Sequence, residues 1–256
     1  MSAFMRFALR TSVALLAVVL LGPALAAYSQ SATAAPAPAL QPIALPAPQM
    51  TGGMPLMQAL ANRQTVRTFR DQALSPQQLS NLLWAAFGIN RKEMAVNRPA
   101  APPAPGGPAA PGAQSAPPRP AAPAAPKPGR TAPSGGNRQD IQIYAVLPSG
   151  AYLYDYVQNQ LRPVSSGDVR AQVVSGAAAK AAVTIVFVAP AKDDPFAQVD
   201  TGFIGQNIYL WAASEGLNAW FYTMHGAPAV TAVSTALNLD ADHAPLYLES
   251  VGYPEK

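Results

Sequence analysis

Residues 97–129 read NRPAAPPAPGGPAAPGAQSAPPRPAAPAAPKPG. The run holds no bulky apolar side chain, so nothing in it can be buried to offset the entropy of ordering the chain. It is expected to be disordered. Residues 54–96 ahead of it are too few to make a stable core alone. The two sides must therefore build one domain, with the tract as an insertion inside it. Residues 27–53, rich in Ala, Pro, Ser and Gln, read as a second flexible or polyproline-like stretch, a leader to a domain spanning 54–256.

Residues 1–26 read as an export signal. Arg6 and Arg10 make a basic start, SVALLAVVLLG an apolar centre, and ALA at 24–26 the small-residue pattern of a cleavage site. The apolar run falls short of the ~20 residues of a membrane span. An uncleaved anchor is the alternative, and only then would the chain hold to a membrane. The expected location is the periplasm or cell envelope. An exported chain with no cysteine uses no disulfides, thiolate metal sites or cysteine nucleophile. Five of the 17 basic residues lie in the signal or the 97–129 tract, leaving 12 against 13 acidic ones. The domain is near neutral and carries no nucleic-acid signature.

The remaining sequence mixes helices and strands without regular alternation, which predicts an α+β sheet with helices packed on it. A helix over 55–62, with Pro55 in its first turn, would put Leu56 and Leu60 on one face. A second follows a capping box of Ser75, Pro76 and Gln78, buries Leu79, Leu82, Leu83, Ala86 and Phe87, and stops at Gly88. Residues 141–147 and 150–157 suggest a hairpin across Pro-Ser-Gly. Residues 168–176 read as helix, and 181–190, apolar on both faces, as a central strand. A long helix over 200–216, a strand at 218–222, a helix from Pro228 with Val230, Val233 and Leu237 inward, and a strand over 244–253 complete the pattern.

Arg63, Thr65 and Arg67 in NRQTVRTF are spaced by two, so an extended backbone aims them the same way. Two guanidiniums and a hydroxyl on one side suit an anion such as phosphate; the alternative is a solvated basic turn paired with Asp71. In APSGGNRQ, Ser134, Asn137 and Gln139 offer a hydroxyl and two amides, while Gly135 and Gly136 allow close backbone approach. Such a loop can hydrogen-bond the edge of a heteroaromatic ring, or be a turn entering a strand. Neither a nucleophile elbow nor a Walker loop is present. His225 and His243 lack metal-ligand spacing, so no metal site is expected.

Taken in order, RQTVRTF, LLWAAFGINR, RTAPSGGNRQDIQIYAV, YLYDYVQNQLRPVSSGDVR, DTGFIGQNIYLWAASEGLN and VGYP resemble the nitroreductase-like flavoprotein family, and within it the SagB-type dehydrogenase branch. The resemblance covers nearly all of 55–256 outside the Pro/Ala tract. It implies an α+β fold and a homodimer with FMN at the subunit interface. Arg63, Gln64 and Thr65 would serve the FMN phosphate and ribityl chain, and Arg67 the pyrimidine edge. Pro133, Ser134, Gly135, Asn137 and Gln139 would close over the ring, often from the opposite subunit. Thr223, Met224, His225 and Gly226 would lie against it. Of the basic residues the family often carries after GYP, the resemblance leaves only Lys256 as a candidate, so that contact is expected to be single or missing. The Lys-Tyr pair of azoline oxidases has no match.

The resemblance implies an FMN-dependent oxidoreductase. NAD(P)H or another donor would reduce the flavin, and an electron-poor small molecule such as a nitroaromatic or quinone would reoxidise it in the same pocket. No catalytic acid or base of the protein is required. Trp211, Trp220, Phe221 and Tyr222 are candidates for that pocket, with Trp211 better explained by core packing. The alternative is a non-catalytic nitroreductase-like module that binds partners in the envelope.

Overall fold

The computed structural model describes residues 39–92, 127–190 and 195–255. The signal segment, leader residues 27–38, insertion residues 97–126 and Lys256 lie outside the described residues. Among those described, no helix is long and apolar enough to cross a membrane.

The elements, in chain order, are β1 (Ile43–Ala44), α1 (Leu56–Asn62), α2 (Pro76–Phe87), β2 (Ile89–Arg91), β3 (Gly129–Arg130), β4 (Gln142–Leu147), β5 (Gly150–Asp155), β6 (Gln160–Ser166), α3 (Arg170–Val173), β7 (Val183–Ala189), α4 (Ala197–Ser214), β8 (Asn218–Thr223), α5 (Ala227–Ala236) and β9 (Ala244–Gly252). Seven strands form one sheet in the order β1-β6-β5-β4-β7-β9-β8, and β2 pairs separately with β3. Every pairing is antiparallel. The domain is α+β, as the mixed pattern predicts.

Strand β7 is buried at every position because both sheet faces are covered. Ile185 and Phe187 meet Leu82, Leu83 and Phe87 of α2 and Ile204 and Ile208 of α4 on one face. Val186 and Val188 meet Val173 of α3 and Val233 of α5 on the other. Alternation along a strand thus feeds two helical layers.

Helix α2 follows its sequence signature. The Ser75 side chain accepts from the Gln78 backbone N–H at 3.2 Å, and the Gln78 side chain accepts from the Ser75 N–H at 3.0 Å. Gly88 ends it, but with an ordinary φ of −72°. A Cβ there would lie 2.4 Å from the Trp84 ring, so close packing selects the glycine.

The structure departs from the sequence reading, or adds to it, in four places. Helix α1 buries Ala59, while Leu56 and Leu60 are 62% and 43% exposed. Its apolar residues therefore form an outer face rather than a core stripe. The span 168–176 yields only the short α3, followed by a 3-10 turn at Gly176–Lys180. Strand β6 has no period-2 pattern in its sequence, QLRPVSS; it forms because Leu161 is buried against neighbours on both sides. Finally, residues 39–53 are not a free leader. Leu40, Ile43 and Leu45 pack on the core. The Pro46 carbonyl accepts from Ser80 Oγ at 2.6 Å and Asn159 Nδ2 at 2.8 Å, and the Gln49 N–H donates to Asn81 Oδ1 at 2.8 Å. Three aliphatic residues spaced through a Pro/Ala background suffice to lay this arm along the sheet edge and over α2. At the end of the insertion, Gly129 already belongs to β3.

Candidate active site

Helix α1 ends where Arg63 donates its N–H to the Ala59 carbonyl at 2.9 Å. The chain then runs beside β8, outside the sheet edge. Thr65 bridges to Ala219 in parallel register, the Val66 N–H donates to the Ala219 carbonyl at 3.0 Å, and Arg70 pairs with Tyr253. Three groups meet at Tyr209 of α4. The Arg63 guanidinium lies 5.3 Å from its ring centre, Thr65 Oγ1 lies 2.9 Å from its hydroxyl, and that hydroxyl accepts the Phe221 N–H at 2.8 Å.

Arg67 departs from the spacing argument. Its guanidinium lies 5.5 Å from the Trp220 ring centre, and that ring belongs to the layer of α3 and α5. The ladder with β8 is not continuous past Val66, so strict alternation does not carry through. Neither Arg63 nor Arg67 makes an ion pair among the described residues. Asp71, the partner considered for a basic turn, lies 3.9 Å from Arg170 instead. Gln64 is exposed beside this segment and helps line a cavity of about 230 Å³ with Asn62, Tyr209 and Asn218.

The loop at 133–139 docks at the other end of α4. The Gly135 N–H donates to both oxygens of buried Asp200, at 2.9 and 3.1 Å. A Cβ on Gly135 would fall 2.4 Å from the Phe196 ring, so only glycine fits. Asn137 and Gln139 take left-handed φ values of 55° and 53°. The polar groups expected to face a ligand are engaged within the loop. Ser134 Oγ accepts the Gln139 N–H at 2.9 Å. Gln139 Nε2 donates to Asn137 Oδ1 and the Pro128 carbonyl, both at 2.7 Å. Pro133 and Gly136 stay exposed.

Arg130 anchors this loop and was not singled out by the sequence. It is 5% exposed. Its Nε donates to Gln139 Oε1 at 2.9 Å and its Nη1 to the Phe87 carbonyl at 2.8 Å, at the negative end of α2. The rings of Tyr156 and Phe87 flank the guanidinium at 3.2 and 4.5 Å. Burial pulls its pKa down, and Tyr156 partly offsets this.

Past β8, Met224 is half-buried and His225 exposed, and Gly226 takes a φ of 83° to open α5. A cavity of about 350 Å³ lies here, lined by Trp220, Tyr222, Met224, His225, Val173 and Ala178. Trp220 stacks on Tyr222 at 4.2 Å. Burial pushes the Tyr222 hydroxyl up to about 12, so it stays neutral. Phe221 faces the opposite layer, against Phe187 and Tyr247. Trp211 packs on the core, as expected.

One chain does not bring the arginine segment and the loop together. They meet α4 at Tyr209 and Asp200, nine residues or about 13 Å apart along the axis. Between them, Gly205 lets the sheet approach closely, over Phe221 and Glu249. Glu249 is fully buried, neither of its oxygens is hydrogen-bonded, and burial drives its pKa well above the ordinary carboxylate range.

Residues 60–253 match the nitroreductase family. Among solved structures, the chain is similar to a candidate nitroreductase of Ralstonia eutropha, with 28% identity over 85% of this chain and 91% of that one, and a TM-score of 0.64. It also resembles a candidate nitroreductase of Anabaena variabilis, at 15% identity over 78% of this chain and 38% of that one, TM-score 0.55. A third likeness is to the E. coli microcin synthetase complex McbBCD, at 19% identity over 77% of this chain and 73% of that one, TM-score 0.51. These last two concern the fold alone. No curated protein matches the sequence.

Proposed function

The chain belongs to the nitroreductase family, and from that premise we propose that this oxidoreductase holds FMN in a site completed between two copies of itself. The observation that carries the reading is the pair Arg63 and Arg67, whose charges meet no carboxylate among the described residues. Arg63, uncompensated beside the exposed Thr65 hydroxyl, fits the phosphate of a cofactor, and Arg67 over Trp220 adds a second uncompensated charge farther along the segment.

Bound FMN supplies hydride and electron exchange. Arg63 and Thr65 hold its phosphate and ribityl end. Arg67, held over the Trp220 ring, would supply positive charge to the flavin ring, and the backbone of Thr223, Met224, His225 and Gly226 would lie against it. The cavity beside Trp220 and Tyr222 takes the donor, NAD(P)H or another reductant, and then an electron-poor acceptor such as a nitroaromatic or quinone. No side chain is needed to move a proton.

The two-copy reading draws on surface and symmetry. Leu56, Met57 and Leu60 of α1 and Phe196, Val199 and Phe203 of α4 are exposed apolar residues on helices that pack together. Surfaces of this kind mark interfaces. A two-fold axis that sets α4 against its mate in reverse carries the loop of one copy to the arginines of the other. Export stays a proposal drawn from residues 1–26, and the SagB-type placement one drawn from the ordered motifs. Absorption spectra of the purified protein with added FMN test the reading. A yellow protein that retains the flavin through gel filtration supports it; a colourless one that refuses FMN leaves a non-catalytic module instead.

A further inference from the structure

We propose that Tyr209 is a positioning residue that turns Thr65 into a hydrogen-bond donor toward an anion. The Tyr209 hydroxyl lies 2.8 Å from the Phe221 N–H, which can only donate. The same hydroxyl lies 2.9 Å from Thr65 Oγ1, a distance that allows either oxygen to donate. Were Thr65 to donate, Tyr209 would accept twice, and its own hydrogen would have no acceptor among the described residues. When Tyr209 donates, the two bonds run in one direction, from Phe221 N–H to Tyr209 and from Tyr209 O–H to Thr65, and the hydrogen left over sits on exposed Thr65 instead of half-buried Tyr209. The Thr65 hydrogen then points away from the protein, on an exposed residue.

The consequence is selectivity. A ligand arriving at Thr65 meets a donor, and Arg63, held over the same Tyr209 ring, adds a cation beside it. Donors alone suit a phosphate dianion and disfavour a neutral hydroxyl in its place. One aromatic residue thus orients both members of the pair, by its ring and by its hydroxyl. The FMN reading supplies the phosphate, so the inference rests on it; the geometry itself asks only for a phosphate group.

Binding of FMN, of riboflavin, which lacks the phosphate, and of inorganic phosphate tests this on the folded protein. The set is wild type, Tyr209→Phe, Thr65→Val and the double variant. Tyr209→Phe keeps the ring under Arg63 and removes the hydroxyl, which breaks the relay and also frees the Phe221 N–H. Its FMN affinity should fall roughly ten- to hundredfold, the value of a hydrogen bond to a charged group. Riboflavin affinity should fall far less, because only the ribityl contact is touched, and thermal stabilisation by phosphate should be lost. The double variant should match Thr65→Val to within about twofold, because both lesions cut one chain. Equal weakening of FMN and riboflavin in Tyr209→Phe, or additive losses in the double variant, would overturn the relay. A wild type that binds phosphate but neither flavin keeps the relay if Tyr209→Phe loses phosphate, and defeats the FMN reading. A wild type indifferent to FMN and phosphate alike defeats both.

Discussion

The arginine segment at 63–67 and the loop at 133–139 sit on the same helix and treat their polar groups in opposite ways. Arg63 and Arg67 lean on aromatic rings and carry no ion pair among the described residues. Ser134, Asn137 and Gln139 spend their groups on one another, on Arg130 and on Pro128. The first region is built to receive charge, and the second to hold a shape. In the proposed shared site, the arginines would supply affinity while the loop would supply a rigid wall.

This contrast makes graded predictions. Replacing Arg63 and Arg67 together with Ala should lower FMN affinity roughly a hundred- to ten-thousandfold, the sum of two charge-assisted contacts. The melting temperature of the flavin-free protein should barely move, because neither side chain supports the core. Arg130→Met reverses the emphasis. It leaves Gln139 Oε1 and the Phe87 carbonyl without their donor, and should cost about 2–4 kcal/mol in urea unfolding. If the Arg130 variant instead matches wild type in stability, the loop is not held as described.

Glu249 lies under α4 between the two regions and gives a pH signature. Its folded pKa is raised, so the folded state keeps a proton that the unfolded chain releases above the ordinary glutamate value. Stability should therefore fall as pH rises from that value toward the raised one, then level off. Glu249→Gln should abolish this decline, equalling wild type in acid and surpassing it progressively as pH rises; parallel profiles would contradict the assignment. The smallest effect is expected for Ser134→Ala. Calorimetry should show a loss of about 1 kcal/mol from the missing acceptor for Gln139, with FMN affinity changed less than about twofold. A large affinity loss there would mean that the Ser134 hydroxyl serves the ligand after all.

Features coded by short-range chemistry were readable in the sequence. The capping box of α2, the doubly apolar β7 and the glycine-bearing loop at 133–139 all stand where local pattern puts them. What the sequence hid depends on distant partners. Tyr209 is one tyrosine on an apolar helix until Thr65 and Phe221 close on its hydroxyl, 144 and 12 residues away. Arg130 adjoins a proline-rich tract, and nothing local announces that two rings will bury it. Glu249 occupies a strand position that alternation assigns to the core, where a carboxylate would not be sought. The composition of the arm at 39–53 averages away its three aliphatic anchors, Leu40, Ile43 and Leu45, so it reads as a free leader.

The central claim is that one FMN site draws its arginines from one copy and its loop from another. Co-expression tests it directly. One chain carries Arg63→Ala and Arg67→Ala; the other carries Gly135→Leu, whose side chain collides with Phe196 and displaces the loop. Each variant alone should retain little flavin. In the mixed dimer one site inherits both lesions and the other neither, so flavin absorption should return with the purified mixed species. Mixed dimers as colourless as either parent would contradict the claim and put each site within a single chain.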